Sequence, residues 1–182
     1  MRGWPAHLVT TGLGPVYDGV SHLAVTPEDL IPVIALGLLA GLRGALFGRR
    51  ALFVLPGAWL LGGLAGLAMP SGVSSTPTVA SFLILGALVA ADARIPLSLT
   101  TALAVGLGLF HGYLNGVAMA RPDLGVPALL GVVCSVFVLL ALAASLVVAL
   151  QRAWARIIVR VAGSWIAATG LLLLGWSLRP GA

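Results

Sequence analysis

The sequence predicts an all-α fold: a single integral-membrane domain, built as a polytopic bundle of six transmembrane helices with an N-terminal interfacial or re-entrant segment. Three observations predict it. Only 8% of the 182 residues are charged and 60% are hydrophobic, whereas soluble domains carry about 25% charged and about 45–50% apolar residues. The mean hydropathy is +1.12, so a surface made of these residues suits lipid better than water. Six apolar stretches approach the roughly 20 residues that a spanning helix needs.

Residues 1–26 precede the spans. Positions 4–25 are moderately apolar but broken by Gly12, Gly14, Pro15 and Gly19, and they hold His7, Asp18 and His22. The unbroken apolar run of a signal peptide is missing, so the segment is expected to stay on the protein. It is predicted to be partly helical, lying at the outer face or dipping into the bundle, where irregular backbone must be covered by protein or line a cavity; a seventh span is the alternative. The first span, 27–47, has the sharpest start. Thr26-Pro27-Glu28-Asp29 offers an N-cap hydroxyl, proline at the first helical position and two acids in the first turn. Asp29, three residues after Thr26, imitates a capping box; both acids are expected to serve as cap residues, with attraction of cations at the outer mouth as the alternative. The spans 51–69, 126–150 and 157–178 contain almost no polar residues. The span 77–91 is short, with Asp92 and Arg94 expected to pair at its end. The span 96–119 is the polar exception, carrying Ser98, Thr100, Thr101, His111 and Asn115. Gly37/Gly41, Gly44/Gly48, Gly62/Gly66 and the series Gly108/Gly112/Gly116 read as small-residue ridges for close helix packing, within one bundle or between protomers.

All ten basic residues are arginine, a compositional bias rather than a nucleic-acid footprint, since they form no stripe and have no interleaved aromatics. Arg43, Arg49, Arg50, Arg94, Arg152, Arg156 and Arg160 follow the first, third and fifth spans; Arg2, Arg121 and Arg179 lie on the other side. The positive-inside rule then places both termini outside the cytoplasm. Cys134 is the single cysteine, which excludes disulfides, cysteine zinc sites and iron–sulfur clusters within one chain. GxSxG, HExxH, P-loop and dinucleotide motifs are absent, so neither an enzyme nor nucleotide-driven transport is expected.

What remains is a small set of polar groups. Asp18 and His22 are four residues apart and share a helix face. His111 and Asn115 share a face of the fourth span, with Met119 a further turn on. Ionisable groups inside membrane segments are costly and usually functional. Imidazoles with a carboxylate suit nickel, cobalt, zinc, copper or iron, and Asp18 is placed to orient His22 as a supporting acid. His7, Asp18, His22 and His111 are therefore the candidate metal ligands. Asn115, Glu28, Met119 and Thr101 are secondary or pathway residues: Glu28 at the outer mouth, Thr101 with Thr100 and Ser98 continuing a track inward from His111.

The run HLVTTGLGPVYDGVSHLAVTPEDLIPVIALGLLAGLRG (residues 7–44), with FHGYLNG (residues 110–116), resembles the HupE/UreJ family of membrane proteins, closest to its shorter UreJ-like branch. The resemblance implies a bacterial inner-membrane protein accessory to hydrogenase or urease, acting as a nickel or cobalt permease and working with the maturation proteins of those enzymes. His22 matches the histidine of the family's first motif and His111-Gly112 matches the second. Ser21 stands where the family has an acid next to that histidine, and Gly14 where it has an earlier His-Pro. Asp18 and His7 are expected to supply the missing carboxylate and imidazole. Three functions stay open at this point: a metal permease with an outer-facing His/Asp site, a metal-binding accessory or sensor that moves no ions, and a channel for a small neutral molecule.

Overall fold

The computed structural model describes residues 11–70, 76–150 and 153–178. They form α1 (Pro15–Val25), α2 (Pro27–Arg43), α3 (Ala45–Ala68), α4 (Thr76–Ala90), α5 (Leu97–Ala118), α6 (Gly125–Ala149) and α7 (Ala153–Ser177), with no strand among the described residues. His7 lies outside those residues. Four helices, α3, α5, α6 and α7, are long and apolar enough to cross a membrane. α1 and α2 pass the same test as a pair bent by 75°, and the apolar part of α4 is shorter. The protein is thus an all-helical, multi-pass membrane protein, compatible with the predicted six spans.

The first boundary stands as the sequence predicts: α2 begins at Pro27, behind Thr26. The Thr26 hydroxyl, however, donates to the His22 carbonyl at 2.6 Å and not to an amide of α2. It finishes α1 instead of capping α2. The next boundary is displaced. The break falls at Gly44, where φ is +108°, and not at the Arg49-Arg50 pair. A left-handed backbone admits glycine at no steric cost, so Gly44 is a turn residue and not part of a ridge. Arg49 and Arg50 lie inside the first turns of α3, where long side chains reach polar surroundings from a helix end.

The other glycine ridges find partners. Gly62 and Gly66 on α3 face the backbone of Leu109 and Tyr113, while Gly108, Gly112 and Gly116 on α5 face that of Leu55, Trp59 and Gly63. A side chain on either helix would strike the other's backbone, so α3 and α5 form the tightest seam in the bundle. Gly37 and Gly41 bring α2 against α6, and Gly86, Gly163 and Gly170 join α4 to α7. α1 is drawn in as well: Gly19 meets the Ala128 carbonyl of α6, and Gly131 meets Val16. α1 thus packs along α6 beside the core residues Leu23, Leu129 and Val132, and with α2 it forms a bent pair that is either a broken span or a re-entrant loop.

α7 keeps its apolar surface outward, with Ile157, Trp165, Leu172 and Trp176 exposed to the surroundings. Trp154 and Trp176 stand about 33 Å apart at 1.5 Å per residue, near the roughly 30 Å of a hydrocarbon core, as expected for an aromatic belt. At the end of the bundle where α2 finishes, Asp92 ties three elements together. Its carboxylate accepts from Arg43 at the end of α2 and from Arg156 on α7, the latter at 2.6 Å. It pairs with these two and not with Arg94, the partner expected from sequence. Asp92→Asn, which keeps a residue tolerant of the local φ of +49°, is expected to cost about 2 kcal/mol through weaker charge-assisted hydrogen bonds. A thermal unfolding scan in detergent checks it.

Candidate metal-binding site

Asp29 is the centre of the buried polar chemistry. The stripe Asp29, Val33, Leu36, Ala40 follows helical spacing, and all four residues are buried. The carboxylate consequently points into the bundle from the first turn of α2. Asp29 Oδ1 lies 2.7 Å from His111 Nδ1, and Oδ2 accepts from Asn115 Nδ2 at 2.7 Å. Asp29, His111, Asn115 and His22 are 4%, 0%, 3% and 3% exposed, so these groups depend on one another rather than on solvent. Burying a carboxylate without partners would be prohibitive. Here two donors hold it, and the free amides at the start of α2 add a favourable partial charge.

His111 is shaped by its surroundings. A neutral ring with its proton on Nδ1 donates to Asp29 and leaves a lone pair on Nε2. Trp59 lies against the ring, centroids 5.6 Å apart and planes 31° apart, and Phe110 meets it edge-on at 5.3 Å. The α3–α5 glycine seam brings Trp59 there: Gly112, next to His111, contacts the Trp59 backbone directly. His111 also lines a mainly apolar cavity of about 340 Å³ between α4 and α5, with Ser81, Leu85, Leu103 and Phe110.

Several buried polar atoms here have no hydrogen-bond partner: His111 Nε2, His22 Nδ1, Asn115 Oδ1 and Trp59 Nε1. Leaving such atoms unmatched costs about 1–3 kcal/mol each. Two are imidazole nitrogens and one an amide oxygen, the donor types that bind a borderline divalent cation. An acid behind a ligating histidine fixes its tautomer and raises its basicity, and Asp29 has that relation to His111. His22, on α1, is buried at the same end of the bundle. Among the described residues, no three His, Cys, Asp or Glu side chains close on one point.

The other predicted residues are placed as follows. Asp18 is engaged elsewhere: its Oδ1 accepts from the Thr11 amide at 2.6 Å and the Thr11 hydroxyl at 2.7 Å, bracing the turn before α1. The i, i+4 spacing pairs Asp18 with His22, whereas the carboxylate bonded to His111 is that of Asp29, on a different helix. Glu28 is exposed beside it. Met119 is fully buried in the core at the end of α5. Thr101 and Thr100 turn their hydroxyls to Leu97 and Pro96 of their own chain at 2.8 and 3.3 Å. Between them and His111 the buried face of α5 is Ala104, Leu107 and Gly108, so the predicted polar track is interrupted by apolar side chains. Asp29 and Trp59 are the two site residues missed from sequence. The acid was legible through its helical spacing from Val33 and Leu36; nothing local pointed to the tryptophan.

Fold and site together define a multi-pass membrane protein that carries a buried carboxylate–histidine–amide cluster at one end of its bundle. The chain belongs to the HupE / UreJ protein family, whose profile matches residues 4–173. Protein HupE of Rhizobium leguminosarum bv. viciae is 25% identical over 171 residues, covering 90% of this chain and 82% of that protein. No solved structure matches the chain.

Proposed function

We propose that the protein is a membrane permease for a divalent transition metal, nickel foremost, that receives the ion at the His22–Asp29–His111–Asn115 end and supplies it for a nickel enzyme of the urease or hydrogenase kind. The observation that carries this is the Asp29–His111 pair, with an unpartnered buried ring nitrogen on both His111 and His22. Cobalt, zinc, copper and iron suit the same donors less selectively. The site end faces outward in this proposal, because Arg43, Arg94, Arg156 and Arg160 gather at the opposite end and mark it as cytoplasmic. The arrangement suits a bacterial inner membrane, with both termini on the outer side. His7 and Asp18 remain proposed ligands for the entering ion, and Glu28 an exposed acid at the mouth. A sparse mixed-donor site fits transport, since a conducted ion must leave as readily as it binds.

A second reading has its own support. Ala104 and Leu107 separate His111 from Thr100 and Thr101, whose hydroxyls bond back to their own helix. A protein that binds metal and hands it to maturation partners, without moving ions through itself, would be closed in this way.

Nickel uptake by proteoliposomes separates the two. Wild-type protein is expected to load vesicles with radiolabelled nickel, and His22→Ala or His111→Ala to lower uptake at least about ten-fold. Binding is also expected to weaken below about pH 6, because an imidazole must be neutral to ligate. Binding in detergent without any flux would overturn the permease and favour the accessory role. A profile flat from about pH 5 to 8 would remove histidine ligation altogether.

A further inference from the structure

A second polar centre lies at the other end of α2 from Asp29, and the metal site makes no use of it. Arg43, the last residue of α2, donates through Nη2 to the carboxylate and the carbonyl of Asp92. Its side chain is 10% exposed, and its Nε is buried with no acceptor. Arg156 shares the same carboxylate from a half-exposed position. Both Asp92 oxygens are thereby occupied, and the pair of guanidiniums keeps an excess of positive charge and of N–H donors.

Arg43 and Arg156 line a cavity of about 360 Å³ between the ends of α2 and α6. A second cavity of about 320 Å³ lies beside it between α3 and α6, and Ala45 and Val148 line both. Its walls are almost wholly apolar, including Leu52 and Ala141, and Arg49 also lines it. A cationic pocket therefore adjoins an apolar groove lying between two membrane-spanning helices.

We propose that the two cavities form one site for an anionic phospholipid, whose phosphate meets Arg43 and Arg156 and one of whose acyl chains lies in the α3–α6 groove. The charge selects the headgroup: Arg43 and Arg156 face a single aspartate, and Arg49 lines the neighbouring groove, so a further cation, such as a choline, would be repelled. The groove selects a lipid over a free anion, which would have no use for an apolar wall. Basic pockets between helices near a membrane surface hold anionic headgroups by this combination.

The test uses the full-length protein purified in detergent, incubated with phosphatidylglycerol, phosphatidylcholine or inorganic phosphate. Native mass spectrometry reads retained lipid and a thermal scan reads stabilisation. Phosphatidylglycerol is expected to be retained and to raise the melting temperature, with phosphatidylcholine weaker. Arg156→Gln is expected to reduce retention about five-fold, from the loss of one cation near the headgroup, with Arg156→Lys restoring most of it. Ala141→Phe, which fills the groove and leaves the arginines in place, is expected to reduce retention similarly. Equal retention of both lipids, or full retention by Ala141→Phe, would overturn the proposal. Stabilisation by millimolar phosphate equal to that by phosphatidylglycerol would also overturn it, in favour of a simple anion pocket.

Discussion

Asp29→Asn is expected to lower nickel affinity about 10- to 100-fold, the usual effect of losing an acid that supports a ligating histidine. The geometry explains why the fold should survive. Asparagine is nearly isosteric, can accept from His111 Nδ1 through its oxygen, and can donate to Asn115 if that amide turns over. The hydrogen bonds at 2.7 Å to His111 and Asn115 are thus replaceable, but the negative charge is not. Without it a dication near His22 and His111 loses its nearest compensating charge. Asp29→Ala is expected to do more, leaving a buried imidazole N–H and a buried amide unmatched at about 1–3 kcal/mol each. Asp18→Asn gives the comparison: its carboxylate is held by Thr11, so the loss of affinity is expected to be smaller. Isothermal titration of nickel into the three variants in detergent measures this. Equal losses from Asp29→Asn and Asp18→Asn would mean that Asp29 has no special role at the site.

Gly112→Ala is expected to destabilise the protein by about 1–3 kcal/mol, the usual cost of forcing extra atoms into a packed interface, and to weaken metal binding with it. An alanine Cβ at this position would overlap the Trp59 carbonyl, whose carbon is only 2.8 Å away. The obstacle is backbone, which cannot rotate aside as a flexible side chain does. α3 and α5 would have to part, taking Trp59 from the face of His111. Gly57→Ala is the control, because nothing lies within 4 Å of its added Cβ. That change is expected to be neutral or slightly stabilising through helix propensity. Thermal scans of both variants, together with nickel titration, read the result. Equal melting temperatures for the two would show that the α3–α5 seam yields easily.

The difference between the predicted and observed positions of the carboxylate has a physical origin. Asp18 and His22 are linked by a local rule, i to i+4 on one helix, and the rule correctly puts both on α1. It is silent on what else competes for Asp18, and Thr11, seven residues earlier, supplies an amide and a hydroxyl. Asp29 carries the opposite lesson. Behind Thr-Pro-Glu it has the pattern of a helix start, and it does lie in the first turn of α2. The same residue also stands on the stripe that α2 buries, so its carboxylate meets His111 across 82 positions of chain. A residue can satisfy a capping pattern and a tertiary site together, and the sequence pattern displays only the first.

The membrane class, the helical fold, the start of α2 and the packing role of Gly62, Gly66, Gly108, Gly112 and Gly116 were determined by the sequence alone, because each depends on hydropathy, local conformation or side-chain size. His22 and His111 were legible for a related reason: an ionisable group in an apolar segment is conspicuous wherever the segment packs. Tertiary structure alone decided that α1 turns by 75° and packs against α6, that Trp59 lies on His111, and that Asp29 rather than Asp18 is bonded to it. Those outcomes depend on which helices pair and in what register. Contacts of that kind gain their energy from backbone approach and buried hydrogen bonds between residues far apart in the chain, and no local pattern records them.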